Sequence, residues 1–237
     1  MTDAPIDEAV LHSMTQGLSG IEGPVEDHVA AAREVGQALR RVIDRLTATS
    51  APPEVLREAV ARLAPIEDLL SPYEQVVRTY TGTAEASGLG HDRAFFDWSP
   101  LLGLANPLAP PIRAWVEGRT VVGQARFGIA YEGPPGCVHG GYIAAAFDEV
   151  LGLTQSLSGQ SGMTGTLTIK YRQPTPLYRD LRLECTVDSV QGRKVLTSGR
   201  MYAGDTLTAE AVGLFISIRP ERFRALASQR ERPNADG

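Results

Sequence analysis

The sequence predicts an α+β protein in which one antiparallel sheet wraps a single central helix. Three observations carry that prediction. Beyond residue 110 the apolar period becomes two, with short turns between successive runs; one helical stretch interrupts the runs; and that stretch is apolar on nearly every side. Ile112, Ala114 and Val116 alternate with polar neighbours, Glu117-Gly118 is a turn, and Val121, Gly123, Ala125, Phe127, Ile129 and Tyr131 continue the alternation on the returning strand. The helix runs from Gly140 to about Leu157. Ile143, Ala144, Ala145, Ala146, Phe147, Val150, Leu151 and Leu153 leave it almost no polar face, so it should be covered all round. Leu167, Ile169 and Tyr171, then Leu181, Leu183, Cys185 and Val187, mark two further strands. Turns at Gln191-Gly192 and Ala203-Gly204-Asp205 lead into Val195–Ala203 and Leu207–Ile218. Hairpin turns between neighbours make the sheet mostly antiparallel.

The first third of the chain reads differently. Residues 1–80 hold 13 acidic and 7 basic residues, whereas residues 81–237 hold 15 and 16. Val25, Val29, Ala32, Leu39, Ile43 and Leu46 recur at helical spacing; Thr49 and Ser50 end that helix, and Pro52-Pro53 open the next. Val55, Leu56, Ala59, Val60 and Leu63 mark its apolar face. Pro65 and Pro72 divide the stretch beyond it, where Ile66, Leu69, Tyr73, Val76 and Tyr80 add contacts. Two or three short amphipathic helices are expected, serving packing or oligomer contact rather than a dedicated binding role. Thr81 to His91, rich in Gly, Ser, Thr and Ala, reads as a linker. The expected organisation is a helical extension and linker over 1–94, the sheet-and-helix domain over 95–220, and an Arg-rich, flexible tail over 221–237.

Composition excludes several classes. With 43% hydrophobic and 22% charged residues the chain can bury a core. No apolar run approaches the roughly 18 residues a membrane span requires. Met1 to Glu8 is acidic and lacks a signal-peptide core, so a cytoplasmic protein is expected. A net charge of −5 argues against nucleic acid as a partner. The 2 cysteines form neither a disulfide framework nor a zinc motif. No phosphate-cradling or dinucleotide fingerprint is present.

Chemistry concentrates on the central helix. Asp148 is a carboxylate among Ala, Phe, Val and Leu, where an unpaired charge is costly. Burial of that kind tunes a general base, although a structural carboxylate satisfied by backbone or Arg reads the same way. Glu149, about 100° away around the helix, is expected to face solvent or an interface. Before the helix stands Val138-His139-Gly140-Gly141. Free amides at a helix start, aided by its dipole, suit a developing oxyanion, and two glycines let a substrate approach. Gly140 and Asp148 lie eight residues apart, roughly 12 Å along one helix. One acyl carbon cannot touch both within about 3 Å. Joint action therefore requires two antiparallel copies of the helix, and so a homodimer with the site at its interface.

Pro134-Pro135-Gly136-Cys137-Val138-His139-Gly140-Gly141, with Asp148 nine positions after His139, resembles the hotdog-fold acyl-CoA thioesterases. Within them it is similar to the phenylacetate-pathway group, and especially to the carboxyl-terminal modulator protein (thioesterase superfamily member four) type. The similarity continues through Met163-Thr164, Lys170-Tyr171-Arg172-Gln173-Pro174-Thr175-Pro176-Leu177, Gly192-Arg193-Lys194, Glu210-Ala211 and Leu214-Phe215-Ile216. It spans about residues 112–219.

The resemblance implies a hotdog fold, a dimer or dimer of dimers, and hydrolysis of an acyl-CoA thioester with no metal or redox cofactor. It makes Asp148 the base, or a nucleophile, and Thr164 the residue that helps position water; a Thr near a strand start also follows from β-propensity. Gly140 or Gly141 would supply the oxyanion amide. His139 would orient the loop or polarise the thioester, with a purely structural histidine as the competing reading. One departure stands out: the phenylacetate-pathway enzymes commonly carry Asn or Gln six residues before the His, where this chain has Gly133. Coenzyme A also needs cations at the pocket mouth. Lys170, Arg172 and Gln173 on one strand, with Arg193 and Lys194 at a facing turn, are the expected set; solvated strand charges are the other reading. A Cys137–His139 thiol pair is set aside because no third group orients it. The alternatives to hydrolysis are a non-catalytic acyl-CoA sensor docking through its acidic helices, or a hydratase or acyltransferase on the same scaffold.

Overall fold

The computed structural model describes residues 6–19, 25–73, 93–160 and 162–219, together with 221, 222 and 225. The linker expected over Thr81–His91, the contacts expected at Val76 and Tyr80, and most of the tail lie outside the described residues. Helices α1 (Glu8–Ser19), α2 (Asp27–Thr47), α3 (Pro53–Leu70) and a short α4 (Arg93–Trp98) precede strands β1 (Arg113–Glu117) and β2 (Thr120–Ala125). A 3-10 turn at Ile129–Tyr131 leads to the central helix α5 (Gly140–Ser156). Strands β3 (Gly162–Tyr171), β4 (Leu181–Gln191), β5 (Lys194–Ala203) and β6 (Thr206–Ser217) complete the domain. The sheet order is β1-β2-β4-β5-β6-β3, antiparallel throughout. Helix α5 is thus the crossover that carries the chain from β2, across the inner face of the sheet, to β3 at the far edge.

The core is the seam between α5 and that inner face. Ile143, Ala146, Phe147, Val150 and Leu151 pack with Val121, Leu183, Cys185, Val195, Met201, Ala211 and Phe215 in one cluster. Each large apolar side chain so covered contributes about 1.5–3 kcal/mol. Close approach is permitted by missing side chains in the strands: a Cβ on Gly199 would stand 3.3 Å from the Phe147 ring, and one on Gly213 3.3 Å from Leu151 Cδ1. No described helix is long and apolar enough to cross a membrane.

Four features differ from the sequence reading. First, β2 ends at Ala125 instead of running on to Tyr131, because its partner β4 begins at Leu181, opposite Ala125, and the ladder has no further rung. Second, Pro65 lies inside α3 and does not divide it. The residues around it are exposed, so water can take the carbonyl that proline leaves without a donor. Third, α1 belongs to the core: Met14 is buried, with Ile6, Val10 and Leu11 packed against the same cluster. Fourth, α5 is not covered all round, and its open face decides the geometry of the site.

Helix α2 is fixed to the domain by polar contacts. Arg33 Nε and Nη2 donate to Asp97 Oδ1 and Oδ2 at 2.6 and 3.0 Å. Arg40 donates to the carbonyls of Asn106 and Leu104, both at 2.8 Å. A Cβ on Gly36 would stand 2.7 Å from the Ala105 carbonyl, so the helix rests on backbone there. Asp97 is 1% exposed. Arg33→Met should leave that carboxylate buried without its counter-charge and lower the unfolding free energy by about 3–5 kcal/mol, read as a shifted midpoint in urea.

Candidate active site

The loop before α5 is held from both sides. Val138 N–H donates to the Thr175 carbonyl at 2.8 Å, and Leu177 N–H to that of Gly136 at 3.0 Å. Gly136 N–H donates to Glu132 Oε1 at 2.6 Å, and its φ of +72° is a conformation glycine adopts without strain. A Cβ on Gly133 would stand 2.8 Å from His139 Cα. The glycine at position 133 therefore has a packing reason: a larger residue there would displace His139 from this loop.

His139 is the N-cap of α5. Its Nδ1 accepts the Gly141 N–H at 3.0 Å, so the neutral ring carries its hydrogen on Nε2. This bond separates two glycines that sequence reasoning leaves equivalent. The Gly141 amide is taken by the cap, whereas the Gly140 N–H has no acceptor among the described residues. Tyr171 Oη donates to the Gly140 carbonyl at 2.9 Å and ties the helix start to β3. Beside it stands an aromatic wall. Tyr131 meets Tyr142 edge-on with ring centroids 4.8 Å apart, and Phe127 meets Tyr131 edge-on at 5.4 Å. Burial pushes the Tyr131 hydroxyl up to about 12, and it donates to the Leu108 carbonyl at 3.1 Å.

Two turns further on, Asp148 Oδ1 accepts the Thr164 hydroxyl at 2.7 Å. A bulge in β3 makes this possible. Leu167, Ile169 and Tyr171 pair with Gly213, Ala211 and Ala209 on the inner face, and strict alternation would turn Thr164 outward. The register shifts between Thr164 and Thr166, leaving Gly165 without a partner. Thr164 then sits opposite the buried Phe215 and faces the helix. An isolated glycine inside a strand pattern is the signal that the sequence carries for this bulge.

The burial expected of Asp148 is corrected. Asp148 is exposed in the single chain, and Glu149 is the carboxyl that the protein covers. The cause is the position of β3 at the sheet edge, which leaves one face of α5 uncovered. That face carries Gly141, Ala145, Asp148 and Gly152, small residues around one titratable group. Glu149 turns towards α4 and accepts the Ser99 hydroxyl at 3.0 Å. Burial pushes its carboxyl up; the Ser99 hydrogen bond opposes this and the Asp148 charge adds to it. Sequence reasoning missed Glu149, Ser99 and Tyr171, because their roles depend on which elements lie opposite.

Within one chain the cationic set is divided between two ends of the sheet. Lys170 pairs with Glu210 near one end of the sheet, while Arg193 bonds Ser217, the partner of Gly162, at the other. Eight residues of strand separate the two ends, about 26 Å. They form no continuous strip within one chain. Arg172 is held by Glu210 at 2.6 Å, and Arg172 in turn keeps the Glu210 carboxyl below its ordinary range. Gln173 is exposed, and its N–H donates to the Thr208 carbonyl. Among the described residues, no ion pair holds Lys170 or Lys194, and no group of three or more His, Cys, Asp or Glu can hold a metal ion.

An α-helix wrapped by an antiparallel sheet, with its capped start and its carboxylate on one open face, defines a class that comparison makes specific. Residues 135–210 match the thioesterase superfamily. A thioesterase superfamily protein of known crystal structure aligns with a TM-score of 0.68 and 33% identity, covering 78% of this chain and 94% of its own. The chain belongs to the thioesterase superfamily, and its fold is the hotdog fold. It is similar to acyl-coenzyme A thioesterase THEM4 of Mus musculus, 38% identical over 109 residues, which is 45% of this chain and 46% of that protein. Acyl-coenzyme A thioesterase THEM5 of Homo sapiens is 30% identical over 96 residues, 40% of this chain and 39% of its own. The chain spans less than half the length of the curated relatives it matches.

Glu149 gives a pH-dependent outcome. A carboxyl raised on folding binds more protons folded than unfolded, so it lowers stability as pH rises from its unfolded value of about 4.3 through its folded one. Glu149→Gln removes that charge while keeping an oxygen for Ser99. The variant should be more stable than the parent at pH 8, and the advantage should fade towards pH 4, as read by thermal unfolding across that range.

Proposed function

We propose that this chain hydrolyses an acyl-CoA thioester to the free acid and coenzyme A, at a site shared by two copies. The observation that carries the reading is the Thr164–Asp148 hydrogen bond on the open face of α5, in which a neutral hydroxyl orients the carboxyl group. Asp148 takes a proton from water while Thr164 keeps the carboxylate aimed, and the attack forms a tetrahedral oxyanion. The Gly140 N–H, at the positive end of α5, is the donor left for that oxyanion. His139 holds the turn by capping Gly141.

The second copy is needed because Gly140 and Asp148 are two turns apart on one helix. The open edge of β3 supports a way to supply it. Among the described residues β3 pairs only with β6, and residues 163–166 along it are exposed. Two such edges pairing antiparallel about a centre near Leu167 would set the Tyr171–Gly140 end of one chain beside the Thr164–Asp148 end of the other. The same pairing would bring Lys170 of one chain towards Arg193 and Lys194 of its partner, assembling a cationic mouth for the phosphates of coenzyme A. It would also cover Asp148. No metal takes part in this scheme, and the cytoplasm is the compartment that fits it.

A thiol-release assay over short, long and aromatic acyl-CoAs tests the reading. Asp148→Asn keeps shape and loses the base; the rate should fall about 100-fold or more. Equal rates in the two proteins would leave a non-catalytic acyl-CoA-binding protein. Arg193→Ala should raise KM more than it lowers kcat, and an unchanged KM would remove Arg193 from the mouth.

A further inference from the structure

Helix α2 reaches the start of α5 through an unbroken series of hydrogen bonds. Arg40, half-buried on α2, gives one guanidinium nitrogen to the Asn106 carbonyl and another to that of Leu104, each at 2.8 Å. Asn106 in turn fixes Leu108, because its Oδ1 accepts the Leu108 N–H at 3.0 Å. The Leu108 carbonyl accepts the Tyr131 hydroxyl at 3.1 Å. Tyr131 then meets the start of α5 twice. Its carbonyl accepts the His139 N–H at 2.9 Å, and its ring stands edge-on to Tyr142, with centroids 4.8 Å apart. Gly140 lies between those two contacts in the chain.

The Arg40 guanidinium is drawn out of water for this task. Burial holds it below its ordinary range, and the neighbouring Tyr131 opposes that shift. A planar guanidinium presents its donors in a fixed fork, so it sets two carbonyls relative to one another as well as to α2. At the far end of the series, the Gly140 N–H belongs to the peptide plane that it shares with the His139 carbonyl. Whatever fixes His139 therefore aims that amide. Tyr171 holds the Gly140 carbonyl and the Thr175 carbonyl holds the Val138 N–H, both from within the sheet-and-helix domain. His139, between them, is held through Tyr131, and so from α2.

The geometry points to Arg40 as a positioning residue for the Gly140 amide, acting through residues 104–108 and Tyr131. Helix α2 lies outside residues 135–210, the stretch that matches the thioesterase superfamily, yet it sets the aim of a group inside it. The kinetic consequence rests on the hydrolytic reading; the linkage itself does not, so the two are measured apart. A misplaced oxyanion donor stabilises the transition state less while the bound substrate is held as before, which places the loss on kcat.

Hydrogen exchange read by mass spectrometry tests the linkage with no substrate present. In Arg40→Met, residues 138–142 should exchange at least tenfold faster than in the parent, whereas Arg45→Met, an exposed position further along α2, should leave them unchanged. Tyr131→Phe removes one hydroxyl, spares the fold and should loosen the same residues, so it carries the test even where Arg40→Met does not fold. Unchanged protection of residues 138–142 overturns the inference. So does a loss spread evenly over β4, β5 and β6, which would make Arg40 a brace of the whole domain. In thiol release, Arg40→Met and Tyr131→Phe should each lower kcat about tenfold and change KM less than twofold. The double variant should lose no more than the worse single one, since both cut one series of contacts. Losses that multiply, or that fall on KM, overturn the inference. A parent that releases no thiol removes the hydrolytic reading instead, and the exchange result still decides the linkage.

Discussion

The geometry of the site depends on one hydrogen bond, from Thr164 to Asp148, and that bond depends on a single unpaired residue. Without the bulge at Gly165, β3 would present Thr164 to the outer face and leave the carboxylate with no neighbour on the strand. The bulge is cheap where it sits, because among the described residues β3 pairs on one side only and a disturbed ladder there disturbs one neighbour. An inner strand such as β5, paired on both sides, would have to accommodate the same kink twice. The edge position therefore serves two ends: it lets the threonine be re-aimed, and it leaves α5 open along the face where Asp148 lies.

Much of this is legible in the sequence, and the limits have physical causes. The α+β class, the helix from Gly140 and the hairpins at Gly192 and Gly204 come from a change of period and from turn chemistry, both local properties. The association of Asp148 with Thr164 is legible only through family resemblance, since alternation alone turns Thr164 the wrong way. A helix apolar all round implies cover on every side, but β3 at the sheet edge leaves the face that carries Asp148 exposed. The structure instead half-buries Glu149, whose polar partner Ser99 lies 50 residues away in sequence. No periodic pattern encodes that pairing. Likewise a turn and a strand end look adjacent in a linear reading of Lys170 and Arg193, whereas the ladder β5-β6-β3 sets them at opposite ends.

The two amides at the start of α5 show how a sequence ambiguity resolves into chemistry. Gly140 and Gly141 are interchangeable on paper. Once His139 folds back as a cap, Gly141 is committed and Gly140 remains. The cap uses His139 Nδ1 as its acceptor. Gly133 supports the arrangement from behind, since any side chain there would press on the His139 backbone. An amide donor is thus set by three residues, none of which needs to touch a substrate.

The uncovered surfaces share one logic. Among the described residues, the edge of β3 and one face of α5 lie open side by side. These are not scattered exposures of the kind any surface shows, because the two are contiguous. The β3 edge offers backbone groups, and the face of α5 offers small residues that allow close approach. A twofold relation satisfies self-complementary surfaces of this kind without leaving further copies unsatisfied. Under such a relation the carboxylate that looks solvent-facing in one chain becomes enclosed in two. On the proposed reading, the desolvation that a general base requires would come from the second copy.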